Sequence, residues 1–156
     1  MLDFCAANRC ASEVPELADF PVHWPIGTRW ADNDMFGHLN NAVYFELFDT
    51  AINGWLAQQT GTGPLDQHAR GVVAETSCRF LSEVSFPAAL VVGVDVERLG
   101  TKSVTYALGL FTDGEPAPAA LARWVHVYVD PATRATVPVP PPIRSALEAA
   151  NKNGPS

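Results

Sequence analysis

The chain has 156 residues, 47% of them hydrophobic and 17% charged, which suits one globular domain built on one core. Its formal net charge is −7, with a pI near 4.9, and its ten Lys and Arg are scattered along the length. That distribution argues against a nucleic-acid partner, which asks for a basic face, but a phosphorylated small molecule needs only a few local cations and backbone N–H groups.

Residues 1–20 mix small, acidic and apolar side chains without a period and read as a loosely ordered extension. They carry an early acid and no basic run before an apolar core, so they do not read as a signal peptide. The odd count of cysteines (Cys5, Cys10, Cys78) has no metal-like repeat; Cys5 and Cys10 could pair, but a reduced, cytoplasmic protein is the simpler reading. Nowhere is there a run of about 18 apolar residues, so no membrane span is expected. A single domain is expected over 21–150, with 151–156 a flexible tail.

A short strand is predicted from Val22 to Trp30, followed by a polar loop, ADNDMFGHLNN. From Asn41 to about Gln59 the polar residues Glu46, Asp49, Thr50 and Asn53 make one narrow stripe, while Tyr44, Phe45, Leu47, Phe48, Ala51, Ile52, Trp55 and Leu56 cover the remainder. A helix apolar over most of its circumference is a buried helix. Asn40 or Asn41 is its N-cap, and Gly61 with Gly63-Pro64 ends it. Residues 72–86 alternate, with Val72, Ala74, Thr76, Cys78, Phe80, Val84 and Phe86 on one face and Glu75, Ser77, Arg79, Glu83 and Ser85 on the other. Strands Leu90–Leu99, Ser103–Phe111 and Leu121–Val129 follow, joined by hairpin turn chemistry. A proline-rich stretch then leads to a short helix over Ile143–Ala149. One helix buried on most sides needs a sheet that curls around it. A single chain cannot complete that cover, so a homodimer or homotetramer is expected.

The loop from Trp30 to Tyr44 gathers Asp32, Asn33, Asp34, His38, Asn40 and Asn41 just before the helix start. Free N–H groups of a first helical turn and the helix dipole stabilise an oxygen that gains negative charge. An Asp nearby can activate water as a general base or attack a carbonyl directly. Asp and Asn before a helix are ordinarily only caps and turn formers, so residue types alone leave both readings open.

RWADNDMFGHLNNAVYF is similar to the signature of the 4-hydroxybenzoyl-CoA thioesterase family, within the hot-dog superfamily. The pattern falls on Asp32, Asp34, Gly37, His38, Leu39, Asn40, Asn41 and Tyr44, and the resemblance continues through ETSCRFLSEVSFP, RLGTKSVTY and RWVHVYVDPATRATVPVP, covering about residues 20–148. It implies an α+β hot-dog fold, a curved antiparallel sheet of about five strands around one long helix, with a site between protomers. The implied activity is hydrolysis of an acyl-CoA, with coenzyme A part of the substrate and no metal or redox cofactor. The catalytic carboxylate would be Asp34, and the main-chain N–H that polarises the carbonyl would be that of Asn41. His38 belongs to the catalytic set in the similar plant acyl-carrier-protein thioesterases. Those enzymes also place an Asn where Phe36 stands here.

Arg98 and Lys102 flank a turn and could meet the phosphates of coenzyme A or remain solvated charges. Asp32 reads as a loop-shaping residue, with a paired-carboxylate role as the alternative. Cys78 reads as core, and His23, His38, His68 and His126 lack metal-ligand spacing. A hot-dog hydratase would space Asp and His one residue wider with Asn-Pro between, which Asp34 to His38 lacks. A non-catalytic thioester-binding protein would have little use for Asp34.

Overall fold

A helix with a single polar stripe can be stable only if its other sides are covered, and the covering sheet sets the architecture. The structure, a computed structural model, describes residues 14–151. The expected C-terminal tail beyond residue 151, the N-terminal extension up to residue 13, and with it any pairing of Cys5 with Cys10, lie outside the described residues. Strand β1 (Val22–Gly27) leads into a 3-10 turn (Trp30–Asp32) and then α1 (Asn41–Thr60). Strands β2 (Arg70–Phe80), β3 (Ala89–Leu99), β4 (Ser103–Thr112) and β5 (Pro118–Val129) follow, and α2 (Pro141–Ala150) closes the described chain.

The five strands form one antiparallel sheet in the order β1-β3-β4-β5-β2. Its inner face, carrying Val92, Val94, Tyr106, Leu108 and Trp124, joins the apolar sides of α1 in one core. Phe48 and Ile52 of α1 are fully buried, each stabilising the fold by ~1.5–3 kcal/mol relative to exposure. Asn40 is the N-cap, its side chain accepting the Ala42 N–H at 2.9 Å, and Gly61 ends α1 in the left-handed region at φ +67°.

Two details of β2 differ from the sequence reading. The strand expected over 72–86 stops at Phe80, and residues 81–88 run as a non-strand segment that includes the cis Phe86-Pro87 bond. Within β2, pairing passes from Val73–His126 to Glu75–Val125, so Ala74 is an extra residue in a β-bulge. Cross-strand partners share a face. Val73, Thr76, Cys78 and Phe80 therefore accompany inward residues of β5, whereas Val72 shares the outer face with Glu75, opposite to the phase that unbroken alternation predicts. Most of β2 is exposed and forms one free edge of the sheet.

The outer face is closed from the N-terminal side. Phe20, 6% exposed, packs edge-on against Phe111 at 5.7 Å; a Cβ at Gly93 would strike the Phe20 ring, and one at Gly109 would strike the Phe111 ring and press on Phe20. His23 Nε2 donates to the carbonyls of Leu17 (2.9 Å) and Phe20 (3.0 Å) and holds that segment in place. Residues 17–20, expected within the extension, thus belong to the packed domain.

Candidate active site

The loop between β1 and α1 is shaped first by Asp32. Its carboxylate is 1% exposed, accepts the Arg29 N–H at 2.6 Å and Nε–H at 2.8 Å, and pairs with Nη2 at 2.7 Å. Burial works to raise the Asp32 carboxyl, but the hydrogen bonds and charge of Arg29 outweigh it and hold the group below its ordinary range. With both oxygens engaged, Asp32 has a structural role, and the paired-carboxylate alternative has no geometric support.

Asp34 stands on a tight turn. Its Oδ1 accepts the Phe36 N–H at 2.9 Å, its carbonyl accepts Gly37 N–H at 3.1 Å, and its own N–H donates to the His38 carbonyl at 2.9 Å. Gly37 lies at φ +82°, which favours a residue without a Cβ. The turn is strapped to the segment after β2. Leu39 N–H donates to Val84 O (2.7 Å), Ser85 Oγ to Gly37 O (2.8 Å) and Phe86 N–H to Asn33 Oδ1 (3.0 Å). These bonds explain why residues 81–88 leave the sheet.

Asp34, His38 and Asn41 are brought together around one open cleft of about 420 Å³, closed on the other side by Phe80 to Glu83. In the first turn of α1 the Ala42 N–H is taken by the Asn40 side chain and the Val43 N–H by the Asn40 carbonyl. Among the described residues nothing takes up the Asn41 N–H, which points from a helix start that carries partial positive charge. Tyr44 and Phe80 meet edge-to-face at 4.9 Å as an apolar wall, and burial, then the nearby Cys78 and Glu83, push the Tyr44 phenol up. The arrangement supplies a carboxylate, an imidazole and an unclaimed main-chain N–H beside a partly apolar slot.

Glu83 was not found from sequence. Its Oε2 lies 3.0 Å from His38 Nε2. The alternating pattern put it on the outer face of a strand, but the chain has already left the sheet there. Arg98 and Lys102 are not brought to this cleft within one chain. They sit where β3 turns into β4, near the Val127 end of β5, whereas the cleft adjoins Phe80 opposite Ala120. Lys102 Nζ donates to Thr136 Oγ1 at 3.3 Å. Cys78 is half-buried, its thiol pushed up to about 11 by burial, which leaves little thiolate at neutral pH. Among the described residues no three His, Cys, Asp or Glu side chains form a metal-sized group, and no helix is long and apolar enough to cross a membrane.

A curved antiparallel sheet around a long helix defines the hot-dog fold of the thioesterase-like proteins. A sequence profile of the thioesterase-like superfamily matches residues 28–147, and the chain belongs to that family. The PA5185 protein of Pseudomonas aeruginosa strain PAO1 is 37% identical and superposes with a TM-score of 0.86 over 90% of this chain and 99% of that one. A thioesterase of Thermus thermophilus, solved with coenzyme A and Zn, is 28% identical, with a TM-score of 0.71 over 88% of this chain and 98% of its own. The YsmA protein of Bacillus subtilis is 28% identical over 92 residues, 58% of this chain, and the match spans 62% of YsmA.

Proposed function

We propose that the chain hydrolyses an acyl-CoA to the free acid and coenzyme A at the cleft around Asp34. The observation that carries this reading is the meeting of the Asp34 carboxylate, the His38 imidazole and the unclaimed Asn41 N–H around one cleft in a chain of the thioesterase-like superfamily. The thioester carbonyl oxygen lies toward Asn41 N–H. Asp34 takes a proton from water, the oxygen of that water bonds to the carbonyl carbon, and the oxyanion is held by the helix start. Collapse breaks the C–S bond, and the thiolate receives the proton from Asp34 or His38. Direct attack by Asp34, followed by hydrolysis of the mixed anhydride, is the same assignment with one further step.

The open β2 edge supports assembly of at least two copies. An antiparallel contact along β2 sets the Arg70 end of one copy beside the Phe80 end of the other. That contact carries the Arg98–Lys102 turn of a second copy to the same end of the sheet as the cleft, within reach of coenzyme A phosphates. Asp34→Asn keeps an acceptor for the Phe36 N–H and removes the base. Turnover on a panel of acyl-CoAs, followed as free thiol, is expected to fall about 10²–10⁴-fold with binding retained. A folded Asp34→Asn protein that keeps more than about a tenth of turnover would mean that the carboxylate is only a turn former.

A further inference from the structure

A buried donor without an acceptor lies at the other end of α1, starting about 18 Å along the helix from Asn41. A pocket of about 80 Å³ opens there between the last turns of α1, the start of β2 and the end of β5. Leu56, Ala57 and Ile143 give it an apolar wall, and His126 and Tyr128 a polar one. His126 is 2% exposed, and its Nε2 accepts the Trp124 Nε1–H at 3.0 Å. In a neutral imidazole that bond leaves the proton on Nδ1. Nδ1 is buried and has no hydrogen-bond partner among the described residues.

Gly71 lines the pocket beside His126. A Cβ at Gly71 would stand 3.4 Å from Nδ1 and 3.2 Å from the Tyr128 ring carbon Cζ. The pocket exceeds the ~10–15 Å³ that one water needs. Burial holds the imidazole down at about 4, so it is a neutral donor. Arg70, also on the rim, is engaged with the carbonyls of Pro64, Leu65 and Gln67. An uncharged acceptor is therefore the group that fits.

We propose that this pocket receives an uncharged oxygen, a hydroxyl or carbonyl at the distal end of an acyl group, through His126 Nδ1–H, and so selects oxygen-bearing acyl chains over plain ones. The inference rests on the thioesterase reading above. The pocket lies at the Ala69–Gly71 end of β2 and the cleft at its Phe80 end. Two copies paired antiparallel along β2 put the pocket of one beside the cleft of the other.

The test compares ω-hydroxyacyl-CoA thioesters of increasing chain length with counterparts in which a methyl replaces the hydroxyl. At the matching length the wild type is expected to favour the hydroxyl by about tenfold in kcat/KM, the worth of one well-placed hydrogen bond. His126→Phe should bring that ratio to about one, and Gly71→Ala, which narrows the pocket and leaves the imidazole in place, should reduce it. Hydrolysis without preference at any length overturns the inference and leaves the thioesterase reading standing. If no thioester is cleaved, that reading falls, and calorimetry with non-hydrolysable thioether counterparts decides the pocket. Tighter binding of the hydroxyl form, lost in His126→Phe and reduced in Gly71→Ala, upholds it, and equal binding overturns it.

Discussion

Stability should rise with pH between about 4 and 6.5, and His126 is the reason. The ring is buried among Trp124, Tyr106 and Tyr128, and burial pulls it from 6.5 to about 4. Neither tyrosine offers a compensating charge, because burial pushes Tyr128 up to about 12 and Tyr106 above its ordinary value. Between those two pH values the unfolded chain binds a proton that the folded chain does not, so acid favours unfolding across that window. At about 1.4 kcal/mol per pH unit, the full gap is worth roughly 3 kcal/mol. This destabilisation is complete below about 4 and absent above 6.5. His126→Gln does not titrate, and its amide oxygen can still accept the Trp124 N–H. Urea unfolding at a series of pH values should give the wild type this slope and the variant a flatter one. Titrations common to both, such as that of Asp32, cancel in the comparison. If the two curves run parallel through the window, the imidazole is not held neutral, and the assignment of its proton to Nδ1 loses its basis.

Asp32→Asn should lower stability by ~1–3 kcal/mol, because the buried side chain gives up the charge that strengthens its bonds from Arg29, while costing less turnover than Asp34→Asn; denaturant melts and initial rates check both. The carboxyl of Asp32 is held low, so its stabilisation is present above the ordinary value of 3.8 and is lost as pH falls through its folded pKa. Gly54→Ala should destabilise by ~1–3 kcal/mol despite the better helix propensity of Ala, because the added Cβ would lie 2.6 Å from Trp24 Cζ2; the thermal midpoint reports it. Arg98→Ala and Lys102→Ala should raise KM for acyl-CoA more than they lower kcat, and should matter little with a short thioester lacking the nucleotide.

The long helix was legible because its apolar residues fill all but one stripe, and that pattern survives any packing. The turn from Asp32 to Asn41 was legible as a motif, yet the division of labour between its acids was not. Nothing local to the sequence says that Arg29 folds back onto Asp32 and leaves Asp34 on the cleft side. The phase of β2 was misread at Val72, because one extra residue at Ala74 reverses every side chain before it, and a bulge has no marker in alternating composition. Glu83 was missed for a related reason, since strand alternation was extended past Phe80 into a segment held by Gly37 and Leu39. The placement of Arg98 and Lys102 depends on which end of the sheet a hairpin occupies, which is a property of topology and not of the residues themselves.

Phe20 and the paired glycines beneath it behave as a plug and its socket. Gly93 and Gly109 leave a trench in the outer wall of the sheet; Phe111 covers the Gly109 end, and the Phe20 ring that covers Gly93 arrives from ahead of the first strand. The packed part of the chain therefore begins ahead of Val22, with the segment that carries Phe20. A chain trimmed to the start of β1 would keep every strand yet show a hollow where Phe111 now meets its neighbour. Ring and socket also constrain one another in size. A Cβ at Gly93 is compatible with this wall only if the side chain at position 20 shrinks with it.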